Sequence, residues 1–127
     1  MTRSAAYDAH PAHTLEIVPV AGRVRVVWND EVVVETARAL EVREAGHPPV
    51  HYFPIADAER SLLERSSLTT HCPFKGDAAY YTLRRGAQRS PDAVWVYEDP
   101  FDQVAAIRDH LAFYPDRVRI EVGAEAG

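Results

Sequence analysis

The stretch Arg23-Val24-Arg25-Val26-Val27-Trp28-Asn29-Asp30-Glu31-Val32-Val33-Val34-Glu35-Thr36 decides the fold. Two runs rich in β-branched residues flank Asn29-Asp30, which suit a two-residue hairpin loop. The stretch is therefore read as a β-hairpin, and the period of two continues downstream. Leu40 and Val42 alternate with Glu41 and Arg43, which predicts a third strand with one wet face. Gly46-His47-Pro48-Pro49 breaks that run. Val50 to Phe53 resumes it as a fourth strand, ended by Pro54, which has no N–H to give a ladder.

Beyond Pro54, Asp57 reads as the cap of a short helical turn, with Glu59 favourably placed near its positive end. Leu62 to Thr70 fits either a short helix or a strand. Ala78–Leu83 and Ala93–Tyr97 read as two more strands. In the second, Val94 and Val96 point one way and Trp95 and Tyr97 the other, so both faces are covered and the strand is central. A helix is expected next, with Asp99 at the N-cap, Pro100 at the first helical position, and Val104, Ile107 and Leu111 as its buried stripe. Pro115 would stop it, and Val118–Val122 would be a last strand. Residues 1–13 read as a flexible tail and 124–127 as a flexible end, leaving one β-rich domain over residues 14–123. The expected fold class is mainly β (α+β). It is an antiparallel curled sheet or small barrel of about seven strands with one helix in the C-terminal half, since no strand–helix–strand alternation runs through the chain.

With 127 residues, 46% apolar and 26% charged, the chain has the composition of a globular protein able to build one core. Its net charge of −5 argues against a nucleic-acid partner. The densest basic spot, Arg84-Arg85 with Arg89, reads as a solvated loop. Cys72 is the only cysteine, which rules out an intramolecular disulfide and a multi-cysteine zinc site and suits a reducing compartment. Residues 1–13 hold no signal-peptide core, and no apolar window reaches the roughly 18 residues of a membrane span. A cytoplasmic protein without a membrane partner is expected, with a homo-oligomer as one of its open alternatives.

Chemistry-bearing residues concentrate in Thr70-His71-Cys72-Pro73-Phe74-Lys75-Gly76-Asp77. Pro73 holds Cys72 extended, and Gly76 can take a positive φ behind Lys75. An ammonium folded back three residues would favour the Cys72 thiolate, with His71 as a further helper. The bland alternative is a buried cysteine in a tight loop, the usual fate of a free thiol. A third reading needs no covalent chemistry: N–H groups around Gly76, the Lys75 charge and the Thr70 hydroxyl would hold a phosphate or carboxylate. Among six histidines, only His51 and His71 could join Cys72 as metal ligands, and no pair has motif spacing. Tyr52, Tyr80, Tyr81, Trp95 and Tyr97 supply either core or the wall of a site for a planar ligand.

Four segments taken together resemble a known family: Tyr52-Phe53-Pro54 followed by Asp57, Thr70-x-Cys72-Pro73-Phe74-Lys75-Gly76 with Ala79 and Tyr80, Trp95-x-Tyr97-x-x-Pro100, and Phe113-Tyr114 with Arg117-Val118. The likeness, from about Leu15 to Val122, is to a domain-of-unknown-function family numbered 427. Phe74 stands where that family usually has tyrosine and Tyr81 where tryptophan is common. The resemblance implies a small, mainly β protein and carries a nucleotidyltransferase-like label. The residues themselves give that label little: there is no Gly-Ser turn with Asp-x-Asp and no Gly-x-x-x-x-Gly-Lys loop, and Asp57-Ala58-Glu59 reads as a helix cap.

The expectation is a domain binding a small anionic or planar metabolite. Lys75 would hold the charge, Thr70 and Tyr52 would orient the molecule, and Trp95 or Tyr80 would stack on it. Asp57, His71 and Gly76 complete the candidate ligand set. Cys72 and Lys75 are the candidates for any catalytic step, and no cofactor or metal is expected. The rivals are a non-catalytic interaction or structural module, a metal-binding protein and a nucleotidyltransferase.

Overall fold

The valines of the opening hairpin need a second apolar surface to cover them. The computed structural model of the chain, which describes residues 3–123, supplies it in a large curled sheet. The strands are β1 (Leu15–Pro19), β2 (Val24–Trp28), β3 (Glu31–Thr36), β4 (Leu40–Glu44), β5 (Val50–Pro54), β6 (Leu63–Cys72), β7 (Gly76–Arg85), β8 (Gln88–Tyr97), β9 (His110–Phe113) and β10 (Arg119–Val122). They form two antiparallel sheets, one ordered β10-β2-β3 and the other β1-β4-β5-β9-β8-β7-β6. The larger sheet curls without closing, since β1 and β6 remain as its edges. At the hairpin tip Asn29 and Asp30 both take positive φ (47° and 64°), as a two-residue turn matched to strand twist requires.

The seven-stranded sheet is apolar on both faces, and alternation along each strand sorts the residues. Phe53, Val94, Val96, Leu111 and Phe113 face the small sheet and meet Val24, Val26, Val33 and Val34 there. Tyr52, Tyr80, Trp95, Tyr97 and Ala112 lie on the opposite face. The two-way split of Val94/Val96 and Trp95/Tyr97 thus appears as the sequence predicts, with β8 between β7 and β9.

Three strands exceed the sequence reading: β1, β6 and β9. The ambiguous 62–70 stretch becomes β6, and the helix expected from Pro100 is replaced. A 3₁₀ segment spans Asp102–Ile107, broken by non-helical geometry at Val104 (φ −126°, ψ 29°), and Asp99 caps nothing. The chain then extends into β9 between β5 and β8. Leu111 fits both patterns, four residues after Ile107 and two before Phe113. The strand wins because it pairs the backbone groups of β5 and β8, which would otherwise be buried without partners. Asp57 likewise caps no helix; it ends a 3₁₀ turn (Ile55–Asp57) and accepts from Thr36 Oγ1 at 2.6 Å.

Of the tail expected over residues 1–13, the described residues 3–13 carry a short helix, α1 (Ala6–Ala9), and Ser4 is buried. The flexible end expected at 124–127 lies outside the described residues. Among the described residues no helix is long and apolar enough to cross a membrane.

Candidate functional site

The ladder registers place side chains in a row across the face turned away from the small sheet. Tyr80 lies opposite Trp95, Trp95 opposite Ala112, and Leu40 opposite Tyr52. Continuing the Phe53–Leu111 register brings Ala112 beside Tyr52 as well. Ala112 is the small member of this row. It leaves a gap between two large rings, and Trp95 Nε1 reaches over it to donate to Tyr52 Oη at 3.3 Å. At the row's other end the Tyr80 and Thr70 hydroxyls share a hydrogen bond of 3.0 Å. Tyr114, just past β9, sets its ring 4.8 Å from that of Trp95.

Above this row is a pocket of about 320 Å³. Tyr52, Tyr80, Trp95, Tyr97 and Tyr114 form the aromatic side, and Val42, Val50 and Pro48 the aliphatic side. Its charged end is Lys75 with Glu44, and His47 also lines it. Lys75 Nζ donates to Glu44 Oε1 at 2.5 Å, while His13 Nε2 meets Glu44 Oε2 at 2.7 Å. The Lys75 and Glu44 side chains are only 10% and 12% exposed. Burial pulls the Glu44 carboxyl up, but the Lys75 hydrogen bond and charge, and the His13 bond, outweigh it and hold the group below its ordinary 4.5. Burial first, then nearby groups including Cys72 and Glu44, push the Tyr52 and Tyr97 hydroxyls far up. They are neutral donors at any working pH.

The loop behind Lys75 is held by its own carbonyls. Cys72 O accepts from Lys75 N, and Pro73 O accepts from Ser4 Oγ at 2.5 Å. Phe74 O accepts from Tyr7 Oη at 2.8 Å, and Lys75 O from Phe101 N at 3.0 Å. Burial, then the Glu44 charge, pushes the Tyr7 hydroxyl up to about 12, so it stays a donor. His13 stacks on Phe74 with centroids 3.8 Å apart. The N-terminal segment and residues 99–101 thus clamp the turn, and Gly76 (φ +115°) lies close against Asp99 and Pro100. Lys75 has its direction fixed by this clamp: across to β4 rather than back onto Cys72.

Of the residues singled out by sequence, Tyr52, Lys75, Tyr80, Trp95 and Tyr97 line the pocket. Thr70 supports it through Tyr80, and Cys72 packs against the apolar cluster at its base without lining it. Gly76 serves the turn. His71 points to the other side, to Asp77 Oδ1 at 2.7 Å. Asp57 is bound to Thr36 and Arg38 beside the small sheet, where the Thr36 hydrogen bond lowers its pKa. His51 sits by Glu41, so His51, His71 and Cys72 are not gathered, and among the described residues no three His, Cys, Asp or Glu side chains are placed to hold a metal ion.

Sequence reasoning missed Glu44, His47, Tyr114 and His13. Glu44 had a signal, since it continues the Leu40–Val42 period onto the inward face of β4. A second signal lay in composition: Lys75 is the only lysine among fourteen Lys and Arg residues. The one ammonium side chain is buried in the pocket, while the arginines lie elsewhere.

A family model described as a domain of unknown function (DUF427) matches residues 16–124. No curated protein matches the chain. The chain belongs to that family.

Proposed function

We propose that this DUF427 member binds a small, flat metabolite in the pocket over the Tyr80–Trp95–Tyr52 row, with a polar group of the ligand turned to Lys75 and Glu44. The observation that carries the reading is the burial of the chain's only lysine, paired with a carboxylate, at the end of an aromatic-walled cavity. Ligand sites are concave and mostly apolar with a few convergent polar groups, and this cavity has that make-up. Its size suits a molecule of one or two rings. Trp95, half-buried and next to Tyr114, offers a face for stacking, and the phenols offer neutral donors. In this reading Cys72 belongs to the wall behind the pocket. Its free thiol suits a reducing compartment, so we place the function in the cytoplasm.

The test follows the two tryptophan indole N–H signals by NMR while nucleobases, nicotinamide and aromatic acids are added singly. Trp28 lies in the other core and serves as the control. A saturable shift of the Trp95 signal with Trp28 unmoved is expected for at least one compound. No shift from any of them up to about 5 mM, well past millimolar affinity, would sink the reading.

A further inference from the structure

We propose that the ligand presents an uncharged edge carrying both a hydrogen-bond donor and an acceptor (an amide, lactam or nucleobase-like edge) to Lys75 and Glu44, and not a carboxylate or phosphate. This rests on the reading that the pocket binds a small molecule. A lone buried lysine suggests an anion at first sight, but here its charge already has a partner. Lys75 Nζ is 2.5 Å from Glu44 Oε1, both side chains are about nine-tenths buried, and both border the same cavity. Among the described residues, no arginine lines the pocket to add positive charge. An incoming anion would meet the Glu44 carboxylate beside the Lys75 ammonium, so repulsion works against attraction in a site where water screens little.

What the pair retains is hydrogen-bonding capacity of both signs. An ammonium has three donors, and Glu44 takes one of them. A carboxylate has about four lone-pair sites, of which Lys75 and His13 take one each. A C=O on the ligand accepts from Lys75 while an adjacent N–H donates to Glu44, and neither charge loses its existing partner. The remaining walls fit an uncharged molecule. Tyr52 and Tyr97 are neutral phenols, and Val42, Val50 and Pro48 are apolar. His47, exposed, is the other ionisable nitrogen lining the cavity.

The experiment compares naphthalene-2-carboxamide with naphthalene-2-carboxylate, two probes of one shape that differ in the polar edge. Affinity is read from the Trp95 indole shift at pH 8. The amide is expected to bind at least about tenfold more tightly to the native protein. In Glu44→Gln, where Lys75 loses its counter-charge, the order is expected to reverse. Equal or tighter binding of the carboxylate by the native protein overturns the proposed class while leaving the pocket reading intact. If neither probe shifts Trp95, both fall. If the order does not reverse in a folded Glu44→Gln protein, the charge argument is wrong; if that variant does not fold, the native comparison alone decides.

Discussion

Replacing Lys75 by Met removes the ammonium and keeps most of the side-chain volume, which isolates the ion pair as the quantity measured. The Glu44 carboxylate would remain about nine-tenths buried, with His13 as its one side-chain hydrogen-bond partner among the described residues. Removing one member of a buried pair costs roughly 3–5 kcal/mol, because the other charge is left uncompensated. His13 stays in place as a partner, so we expect the lower part of that scale, about 3–4 kcal/mol at pH 7. For a chain of this size that is a fall in Tm of roughly 11–15 °C. Urea unfolding followed by circular dichroism measures it. The pH dependence has a definite sign. In the native protein Glu44 lies below its ordinary 4.5, so its contribution is complete above that value and is lost as pH falls through the folded value. In Lys75→Met burial dominates and raises the carboxyl, so the folded state tolerates the neutral acid better than the anion. The difference between native and variant should therefore shrink as the pH falls from the variant's raised carboxyl value, above 4.5, through the lowered native value. Adding Glu44→Leu should restore the protein to within about 1 kcal/mol of native, since both charges are then gone. A loss under about 1 kcal/mol at pH 7, a loss that does not shrink in acid, or additive effects in the double variant would refute the reasoning.

Two further outcomes follow from the geometry. Ala112→Leu fills the gap between Trp95 and Tyr52, so overpacking should cost about 1–3 kcal/mol in urea unfolding, and the Trp95 indole should lose its ligand-induced shift. Gly76→Ala places a Cβ at φ +115°, 3.4 Å from Asp99 O and 3.6 Å from Pro100 Cα, where a side chain is strained. A loss of about 1–3 kcal/mol is expected in the same assay, and an unchanged midpoint would show that the turn can relax.

Much of the β architecture was legible because strand alternation is a local signal. Val94-Trp95-Val96-Tyr97 carries its two-sidedness in four consecutive residues, and Asn29-Asp30 announces its own turn. Residues 100–113 were misread for a physical reason. Asp99-Pro100 followed by Val104, Ile107 and Leu111 is a sound local argument for a helix, and the vacancy between β5 and β8 that makes a strand better is not local at all. The N-terminal segment was opaque for the same reason. Ser4 and Tyr7 become ordered by bonding the carbonyls of Pro73 and Phe74, nearly seventy residues away.

The site shows where residue types end and partnership begins. Sequence selects Lys75, but as a neighbour of Cys72. Its actual partner is Glu44, the next inward position of β4 after Leu40 and Val42, and under the proposal above that pairing makes the charge part of a neutral pair rather than an anion trap. It also gives a reason for lysine in a chain that otherwise uses arginine. Guanidinium offers five donors in a rigid planar fork and needs acceptors on several sides. Among the described residues, Glu44 Oε1 is the one side-chain acceptor of the Lys75 nitrogen, and the other carboxylate oxygen is engaged by His13. A compact ammonium makes that one bond, and under the proposed function its other two donors serve a ligand in the cavity. The loop that clamps its base, through Ser4, Tyr7 and Phe101, therefore fixes the direction in which Lys75 leaves the Thr70–Gly76 segment.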